Sequence, residues 1–361
     1  MSLASYRALG RSGLVISPLC LGTMTFGSTG PGGWGADEAA SRAIFNAYRD
    51  AGGNFVDTAD IYAGGVSETF VGKFIRETNS RDAIVLATKF GFNGSSSPLT
   101  GTAGGTGNPH AGGAGSKNIH RALDASLQRL GTDYIDLYWM HVWDGVTPVE
   151  EIVPTLGDLV RAGKIRHYAF SDMPAWVAMK AATIASERRV PGPIAMQVEY
   201  SLVARDVEAE HVPAAREGGM GVMAWSPLAG GFLTGKYRRG ETAGTGRLSG
   251  ANPFGDSKFT DRNWAILDTL GEVAAELDCD PAQAALAWVM ARPGVASTIV
   301  GARTAAQLAG NIAAAGLRLT DEQMTRLTEA STPAAGFTAS LASAMIRKMI
   351  YGGHDVTGWG E

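Results

Sequence analysis

Four polar residues capable of acid–base chemistry accompany short apolar runs of the sequence. Asp57 and Lys89 each close such a run, His141 follows a third, and Tyr62 lies just beyond Asp57. A lysine buried among apolar neighbours needs a carboxylate to remain charged, and Asp57 is the candidate partner. The ammonium would stabilise the phenolate of Tyr62, so we expect its pKa to fall from about 10 towards neutrality and the phenol to act as a general acid. We expect His141 to donate a hydrogen bond to the same phenol oxygen.

This group of residues can deliver a proton to an oxygen atom, and it includes neither a metal-ligand set nor an activated nucleophile. Each residue also has an ordinary structural explanation, as a helix cap, a half-buried aromatic, a surface charge or a satisfied core histidine. No side chain transfers hydride, so reduction of a carbonyl would require a nicotinamide cofactor. An alternative chemistry for Lys89 is a Schiff base, which an ion pair with Asp57 disfavours because it keeps the amine protonated.

The elements that must position these residues recur in a regular order. Eight runs are rich in apolar and β-branched residues: 19–21, 54–56, 83–87, 134–139, 165–169, 194–198, 221–224 and 297–300. Segments with helical spacing separate them, and the Gly-Arg-Ser-Gly turn at 10–13 predicts an N-terminal hairpin. Eight strands alternating with helices predict a single (β/α)8 TIM barrel spanning residues 1–361, with 330–361 as a C-terminal extension. The polar residues would meet at the carboxyl end of its strands.

Two long glycine-rich segments, 91–116 and 229–260, follow the third and seventh predicted strands. We expect them to be ligand loops at the same end of the barrel. Gly30 to Gly35 has the G-x-G-x-x-G spacing of a Rossmann phosphate loop, but it begins too far beyond its strand and contains Trp34. The sequence therefore disfavours a Rossmann fold.

Two other segments are better candidates for phosphate binding. Residues 230–236 have Walker A spacing, but Tyr237 stands where a magnesium-binding Ser or Thr is required, so they predict phosphate binding without ATPase activity. Residues 301–303 place Arg303 at the start of a predicted helix, where an arginine fork and the helix N-terminus both favour anions. The loops after strands seven and eight of a barrel often bind phosphate together.

The sequence resembles the aldo-keto reductases over nearly its whole length. The resemblance is carried by residues 54–62 (NFVDTADIY), 87–89 (ATK), 129–137 (RLGTDYIDL) leading to His141, and 225–228 (WSPL). It implies a catalytic tetrad of Asp57, Tyr62, Lys89 and His141, and reversible NADPH-dependent reduction of aldehydes or ketones. It also implies cofactor contacts at Gly22, Thr23, Ser171, Asp172, Gln197, Trp225, Ser226, Leu228, Gly230, Lys236, Gly301, Arg303, Gln307 and Asn311.

Two of these positions depart from the family's usual residues. Asp172 stands in place of Asn and can accept a hydrogen bond from the nicotinamide amide but cannot donate one to it. Trp225 replaces the usual Tyr and still offers a flat face for stacking. Arg303 facing a 2′-phosphate implies a preference for NADP(H), with NAD(H) still possible.

Composition narrows the range of partners and locations. The 361 residues include 31 Lys and Arg against 35 Asp and Glu, a net charge of −4, which disfavours nucleic acid and anionic membranes. Only Cys20 and Cys279 are present, and no long apolar span occurs. We expect a cytoplasmic protein acting on a small carbonyl or alcohol, while monomer and homo-oligomer both stay open.

The regions outside the motifs predict features of the substrate and of the C-terminal tail. Thr25, Phe26, Trp34 and Trp143 lie near the predicted mouth and favour an apolar or cyclic carbonyl substrate. The tail after Phe337 carries Leu341, Met345 and Met349 at helical spacing, which predicts an amphipathic helix packed on the barrel. Covering the site or joining a second subunit are alternatives for this tail. An alternative for the whole chain is a cofactor-binding sensor or channel-associated subunit with slow turnover.

Overall fold

The chain opens with a short hairpin that closes one end of a barrel. The computed structural model describes residues 3–27, 35–94, 107–240, 248, 258–334, 336, 340–341 and 343–357. Strands β1 (Arg7–Ala8) and β2 (Val15–Ile16) pair antiparallel, as predicted. Leu9 in the hairpin turn and Ile16 join the apolar cluster inside the barrel. Gly10 permits this approach, because its φ is +60° and a Cβ there would lie 2.3 Å from the carbonyl oxygen of Ile194.

Eight parallel strands form the closed barrel that the sequence predicts, in the order β10-β3-β4-β5-β6-β7-β8-β9. They are β3 (Leu19–Gly22), β4 (Phe55–Asp57), β5 (Val85–Phe90), β6 (Ile135–Met140), β7 (Ile165–Ser171), β8 (Ala195–Glu199), β9 (Gly221–Trp225) and β10 (Val295–Val300). Almost every strand residue is buried, as expected where helices cover one face of a parallel sheet and the barrel core covers the other.

Helices surround the barrel and bury an apolar layer against it. They are α1 (Glu38–Asp50), α2 (Val66–Glu77), α3 (Ser116–Leu130), α4 (Val149–Arg161), α5 (Ala175–Arg188), α6 (His211–Glu217), α7 (Asp261–Glu276), α8 (Pro281–Met290), α9 (Ala305–Ala313) and α10 (Asp321–Ala330). Local sequence sets several of their starts: the Asp37 side chain caps α1, and Asp280 with Gln283 forms a capping box on α8.

The pleat of the strands decides which polar residues face the barrel axis. Side chains two residues apart on a strand point to the same side. The interior cluster includes Phe55, Ala87, Trp139, Ala169, Ala195 and Met223. The residues two positions further along are Asp57, Lys89, His141, Ser171, Gln197 and Trp225. These residues therefore meet at the carboxyl end of the strands, which we call the mouth of the barrel.

The segments beyond the barrel are described only in part. Residues 95–106 of the loop after β5 and residues 241–247 and 249–257 of the loop after β9 lie outside the described residues, as do Gly30 to Trp34 of the Rossmann-like motif. The C-terminal extension contains α11 (Ala344–Ile350), which has no buried residue. Met345 and Met349 are 68% and 69% exposed, so the prediction that this apolar stripe packs on the barrel is wrong. No helix among the described residues is long and apolar enough to cross a membrane.

Candidate active site

A buried ion pair lies at the centre of the mouth. Lys89 on β5 and Asp57 on the neighbouring β4 pair through Nζ and Oδ2, and both side chains are almost fully buried. The ammonium also donates to the carbonyl oxygen of Thr58 at 3.0 Å, a contact with no signal in the sequence. Burial by itself lowers the pKa of Lys89, but Asp57 and Tyr62 more than offset this and raise the pKa above its ordinary value. Lys89 is therefore held in its charged form.

Tyr62 faces the same ammonium from a tightly wound turn. Its hydroxyl accepts a hydrogen bond from Lys89 Nζ at 3.3 Å. The following residues Ala63, Gly64 and Gly65 all have positive φ, and this turn brings the chain directly from β4 into α2. The turn thus places the Tyr62 phenol at the mouth of the barrel rather than among the surrounding helices.

The prediction that the pKa of Tyr62 falls towards neutrality is wrong, although Lys89 does act in the predicted direction. Burial raises the pKa of the Tyr62 phenol above its ordinary value, while Lys89 lowers it and Asp57 raises it further. The physical reason is that the loss of water around the buried phenol outweighs the effect of the Lys89 charge, which the Asp57 carboxylate partly offsets. The phenol is consequently protonated at neutral pH, which suits a proton donor.

His141 lies beside Tyr62 without the predicted hydrogen bond. The two described rings meet edge to face, with 5.8 Å between their centres. Burial lowers the pKa of His141 well below its ordinary value, and Lys89 lowers it further, so the imidazole is neutral. Its Nδ1 is buried with no hydrogen-bond partner among the described residues. A neutral ring with uncommitted hydrogen-bonding capacity can orient an oxygen atom placed beside Tyr62.

The next three strands bring a flat ring and three polar side chains to the mouth. Trp225, at the end of β9, is half-buried, and its Nε1 donates to Asp172 Oδ1 at 2.8 Å. Ser171 donates from Oγ to the other carboxylate oxygen at 3.1 Å. Gln197 donates from Nε2 to Asp57 Oδ1 at 3.4 Å, which connects this cluster to the ion pair. The residues predicted on β7, β8 and β9 therefore do come together.

A glycine-rich turn after β9 forms a cradle of the kind that phosphate occupies. Ser226, Ala229, Gly230 and Gly231 all have positive φ. The Lys236 ammonium lies over this turn, since a Cβ at Gly231 would be 2.7 Å from its Nζ. Within the turn the N–H groups of Ala229 and Gly231 donate to the carbonyl oxygens of Ser226 and Leu228, so the Lys236 ammonium is the group placed to meet an anionic oxygen. Leu228 precedes the turn, and its carbonyl accepts from Gly231 N at 2.9 Å.

The turn after β10 is shaped by the side chains of Gln307 and Asn311. The backbone N–H of Arg303 donates to Gln307 Oε1 at 2.9 Å, and Asn311, largely buried, donates from Nδ2 to the Gly301 carbonyl at 3.5 Å. Thr304 caps the following helix α9. The side chain of Arg303 is left exposed at the helix N-terminus. Arg303 is thus free to meet a ligand, whereas Gln307 and Asn311 are engaged in holding the turn.

Gly22 and Thr23, the residues predicted to contact the cofactor at the end of β3, pack against the neighbouring strands instead. Thr23 is fully buried, and its hydroxyl donates to the carbonyl oxygen of Asp57 at 3.1 Å. Gly22 packs against Ile299, where a Cβ would lie 2.6 Å from the Ile299 side chain. These contacts fix the end of β3 against β4 and β10, so Thr23 does not present its hydroxyl to the mouth.

Two aromatic residues of this region were missed by sequence reasoning. Phe92 meets His141 edge to face at 4.9 Å, and Trp176 meets Trp143 in the same way at 5.5 Å. Phe92 follows Lys89 closely in the sequence, which was an available signal. Trp176 lies at the start of α5, and its meeting with Trp143 depends on tertiary packing alone.

The arrangement combines a protonated phenol, a fixed positive charge and a neutral imidazole around one point. Such a group can give a proton to a carbonyl oxygen and stabilise the negative charge that develops there. The residues also fit a nicotinamide dinucleotide: a flat indole lies at the mouth at the end of β9, and two separate turns are suited to anionic oxygens. The observations that support this fit are the half-buried indole of Trp225 and the position of the Lys236 ammonium over Gly231.

Comparison with known proteins agrees with this arrangement. The model of the Aldo/keto reductase family matches residues 18–332. An uncharacterized oxidoreductase, YrpG, of Bacillus subtilis is 37% identical over 336 residues, 92% of this chain and 97% of the relative. Norsolorinic acid reductase of Aspergillus flavus is 32% identical over 93% of this chain and 83% of the relative. A probable voltage-gated potassium channel subunit beta of Oryza sativa is 35% identical over 86% of this chain and 90% of the relative.

Proposed function

The chain belongs to the aldo/keto reductase family and is an NAD(P)-dependent oxidoreductase acting on carbonyl groups, and on that premise we propose that it reduces aldehydes or ketones with NADPH. The observation that carries the proposal is the chain of contacts from Asp57 through Lys89 to Tyr62. It holds an ammonium in its charged form next to a protonated phenol, which is the requirement for acid catalysis on a carbonyl oxygen.

In this mechanism Tyr62 donates its proton to the carbonyl oxygen of the substrate. A reduced nicotinamide bound at the mouth would supply the hydride that the carbonyl carbon accepts. Lys89 stabilises the negative charge left on the Tyr62 oxygen until solvent returns a proton, and Asp57 keeps Lys89 charged throughout. His141, neutral and beside Tyr62, orients the carbonyl oxygen towards the phenol. The reverse sequence, with Tyr62 as base, oxidises an alcohol.

The cofactor is assigned to residues on the other side of the mouth. Trp225 would stack on the nicotinamide ring, and Ser171, Asp172 and Gln197 would contact its amide. Ser226, Leu228, Gly230 and Lys236 would hold the pyrophosphate in the glycine-rich turn. Arg303 is exposed at the N-terminus of α9, where a 2′-phosphate gains from both the guanidinium and the helix dipole, so NADP(H) is preferred to NAD(H).

The substrate side of the mouth is aromatic. Phe92 borders His141, and Trp143 packs against Trp176. Aromatic walls favour flat or apolar ligands, so we propose that the substrate is an apolar or cyclic carbonyl compound. The low cysteine count fits a reducing compartment, and we place the enzyme in the cytoplasm.

The test of the proposal is an assay of purified protein with a panel of aliphatic, aryl and cyclic aldehydes and ketones, each with NADPH and with NADH. We expect steady oxidation of NADPH with some of the apolar carbonyls and a lower kcat/KM with NADH. Absence of turnover with every carbonyl, despite tight NADPH binding, would contradict the proposal.

That same outcome would support the second candidate function, a cofactor-binding subunit of a channel. The specific observation in its favour is the likeness to a probable potassium channel subunit beta. A third candidate, a Schiff-base aldolase using Lys89, is disfavoured because the pKa of Lys89 is raised and its amine is therefore held protonated. Borohydride treatment in the presence of a carbonyl substrate would detect the covalent adduct that such an aldolase forms.

A further inference from the structure

Asp172 presents a carboxylate to the mouth in a fixed orientation. It follows Ser171 at the end of β7 and has a positive φ of +48°. Its side chain accepts from Trp225 Nε1 through Oδ1 and from Ser171 Oγ through Oδ2, at 2.8 and 3.1 Å. Both hydrogen bonds come from neutral donors. The carboxylate is therefore held in place without being neutralised by a cation.

Several charged or titratable groups face Asp172 from the neighbouring strands. Lys89 on β5 favours its ionised form, and Glu199 on β8 opposes it. Asp172 in turn raises the pKa of Tyr62, which shows that its charge acts at the proton donor. The ammonium of Lys89 is committed to Asp57, and Glu199 pairs with Lys258 at 3.1 Å. Both lysines thus pair with other carboxylates, and no ion pair of Asp172 with a cation occurs among the described residues.

Asp172 is ionised at neutral pH despite its surroundings. It is exposed to the mouth, but protein atoms enclose it on the other sides. This desolvation raises the pKa of Asp172 to about 6, while the hydrogen bonds from Trp225 and Ser171 and the charge of Lys89 lower it. The carboxylate consequently gains a proton and loses its charge as the pH falls through this value.

The position of a nicotinamide ring follows from the reaction that the proposed function requires. Hydride and proton must reach the two ends of the same carbonyl bond, so the ring must lie within a few ångströms of the Tyr62 hydroxyl. The proposed function assigns this ring to the flat side chain of Trp225, whose indole Nε1 donates a hydrogen bond to Asp172. The ring of the reduced cofactor is neutral, whereas the ring of the oxidised cofactor carries a positive charge.

We propose that the carboxylate of Asp172 makes this protein select the oxidised cofactor, NADP⁺, over NADPH, by placing a negative charge beside the nicotinamide ring. This inference rests on the proposed function, which assigns the ring to Trp225. Its physical basis is that a unit charge close to a cationic ring in a partly enclosed site contributes more than the same charge in bulk water. An asparagine at this position would supply similar hydrogen-bonding atoms without the charge.

The experiment measures the dissociation constants of NADP⁺ and NADPH by calorimetry at about pH 8, without substrate, for the wild type and Asp172→Asn. Asparagine tolerates the positive φ and can accept the hydrogen bond from Trp225, so the fold is preserved. We expect NADP⁺ binding to weaken about 10-fold in the variant and NADPH binding to change about 2-fold or less. An equal change for the two cofactors, or none, would overturn the inference.

Two further measurements separate charge from structure. As the pH is lowered through about 6, the wild-type ratio of the two dissociation constants should approach that of Asp172→Asn, whose ratio should stay constant. Both cofactors carry the same titrating 2′-phosphate, so its effect cancels in the ratio. Asp158→Asn, which removes an exposed carboxylate on α4, is the matched control for net charge and should leave the ratio unchanged.

The binding readout also distinguishes failure of this inference from failure of the proposed function. Tight binding of both cofactors with no dependence on the charge of Asp172 would refute only the role of Asp172. Binding of neither cofactor would refute the proposed function, and the inference that rests on it would fall as well.

Discussion

At the scale of single residues, the site holds Lys89, Tyr62 and His141 each in one protonation state at neutral pH and does not bring the pKa of any of them close to 7. Asp57 holds Lys89 protonated, burial holds Tyr62 protonated, and burial holds His141 neutral. Each group therefore begins the proposed reaction in the state that it needs. The proton leaves Tyr62 only as negative charge develops on the carbonyl oxygen, when Lys89 stabilises the phenolate that forms.

Replacing Tyr62 by Phe removes the proton donor and leaves the ring in place. We expect kcat to fall by about 10² to 10⁴, the typical contribution of general acid catalysis. The dissociation constant of NADPH, measured by fluorescence titration, should be nearly unchanged because the cofactor residues are intact. Unaltered turnover would remove Tyr62 from its role.

The pH dependence of reduction tests the protonation states of Tyr62 and His141. A raised pKa keeps the Tyr62 phenol protonated to higher pH, and a lowered pKa keeps His141 neutral to lower pH. At saturating NADPH and substrate, kcat of the Asp172→Asn variant should be flat from about pH 7 to about pH 9 and decline only above about pH 10. This variant removes the titration of Asp172. An inflection near neutral pH would show that Tyr62 is acidified after all.

At the scale of elements, the strand ends position one set of site residues and the turns that follow the strands position another. The strands fix Asp57, Lys89, Gln197 and Trp225 by pairing with their neighbours along the barrel. The turns after β4, β7 and β9 enter the left-handed region of backbone conformation at non-glycine residues such as Ala63, Asp172 and Ser226. Such conformations are unfavourable for L-residues, and they persist where the surrounding structure enforces them, often at functional sites.

The glycine-rich turn after β9 offers a test with a matched control. Gly231 and Gly240 both have positive φ, at +92° and +80°, but only Gly231 lies against the Lys236 ammonium. Gly231→Ala should raise the dissociation constant of NADPH by about 10-fold, because the left-handed turn costs about 1 to 2 kcal/mol more with a Cβ and Lys236 must move.

Gly240→Ala carries a similar backbone penalty, and no atom of the described residues lies within 4 Å of the added Cβ. Its affinity for NADPH should match the wild type in the same titration. Equal losses of affinity in the two variants would mean that the turn does not contact the cofactor.

At the scale of the whole molecule, one end of the barrel is closed and the other carries the site. The hairpin of β1 and β2 seals the amino ends of the strands through Leu9 and Ile16. The carboxyl ends form the mouth, with the residues of the proposed reaction on its floor. Substitutions in the hairpin should therefore change the stability of the fold without changing the activity at the mouth.

Gly10→Ala should destabilise the protein strongly. The new Cβ would lie 2.3 Å from the Ile194 carbonyl oxygen, and φ at Gly10 is +60°. We expect a loss of at least about 2 kcal/mol in the free energy of unfolding, from the backbone penalty and the overlap together. Gly13→Ala lies in the same hairpin, and its added Cβ has no atom of the described part of the chain within 4 Å, so this variant should stay within about 0.5 kcal/mol of the wild type. Denaturant unfolding compares the two, and similar losses would show that the hairpin does not seal the barrel as described.

Cofactor binding should increase the thermal stability of the whole chain. A ligand that binds only the folded state stabilises it by about 2.7 kcal/mol at 100 times its dissociation constant. NADPH should therefore raise Tm by several degrees, and NADH at the same concentration by less. In Arg303→Ala the difference between the two cofactors should shrink, because the exposed guanidinium at the start of α9 is lost. Equal losses for NADPH and NADH would contradict the assignment of Arg303 to the 2′-phosphate.

Local sequence determined the barrel and the identity of the central residues. Eight apolar runs predicted eight strands, because burial on both faces requires nearly continuous apolar residues. The pleat then carries Asp57 and Lys89 to the axis, two positions beyond interior residues. The pairing of Lys89 with Asp57 followed from the need of a buried charge for a partner.

Only the tertiary structure decided the electrostatic state of the site and the contacts between distant segments. The pKa of Tyr62 depends on how much water burial removes and how far Asp57 cancels Lys89, and both depend on distances in three dimensions. The bond from Trp225 to Asp172 joins residues on different strands, and the stripe of Met345 and Met349 turned out to be exposed. Periodicity reports which residues share a face, but it does not report what that face meets.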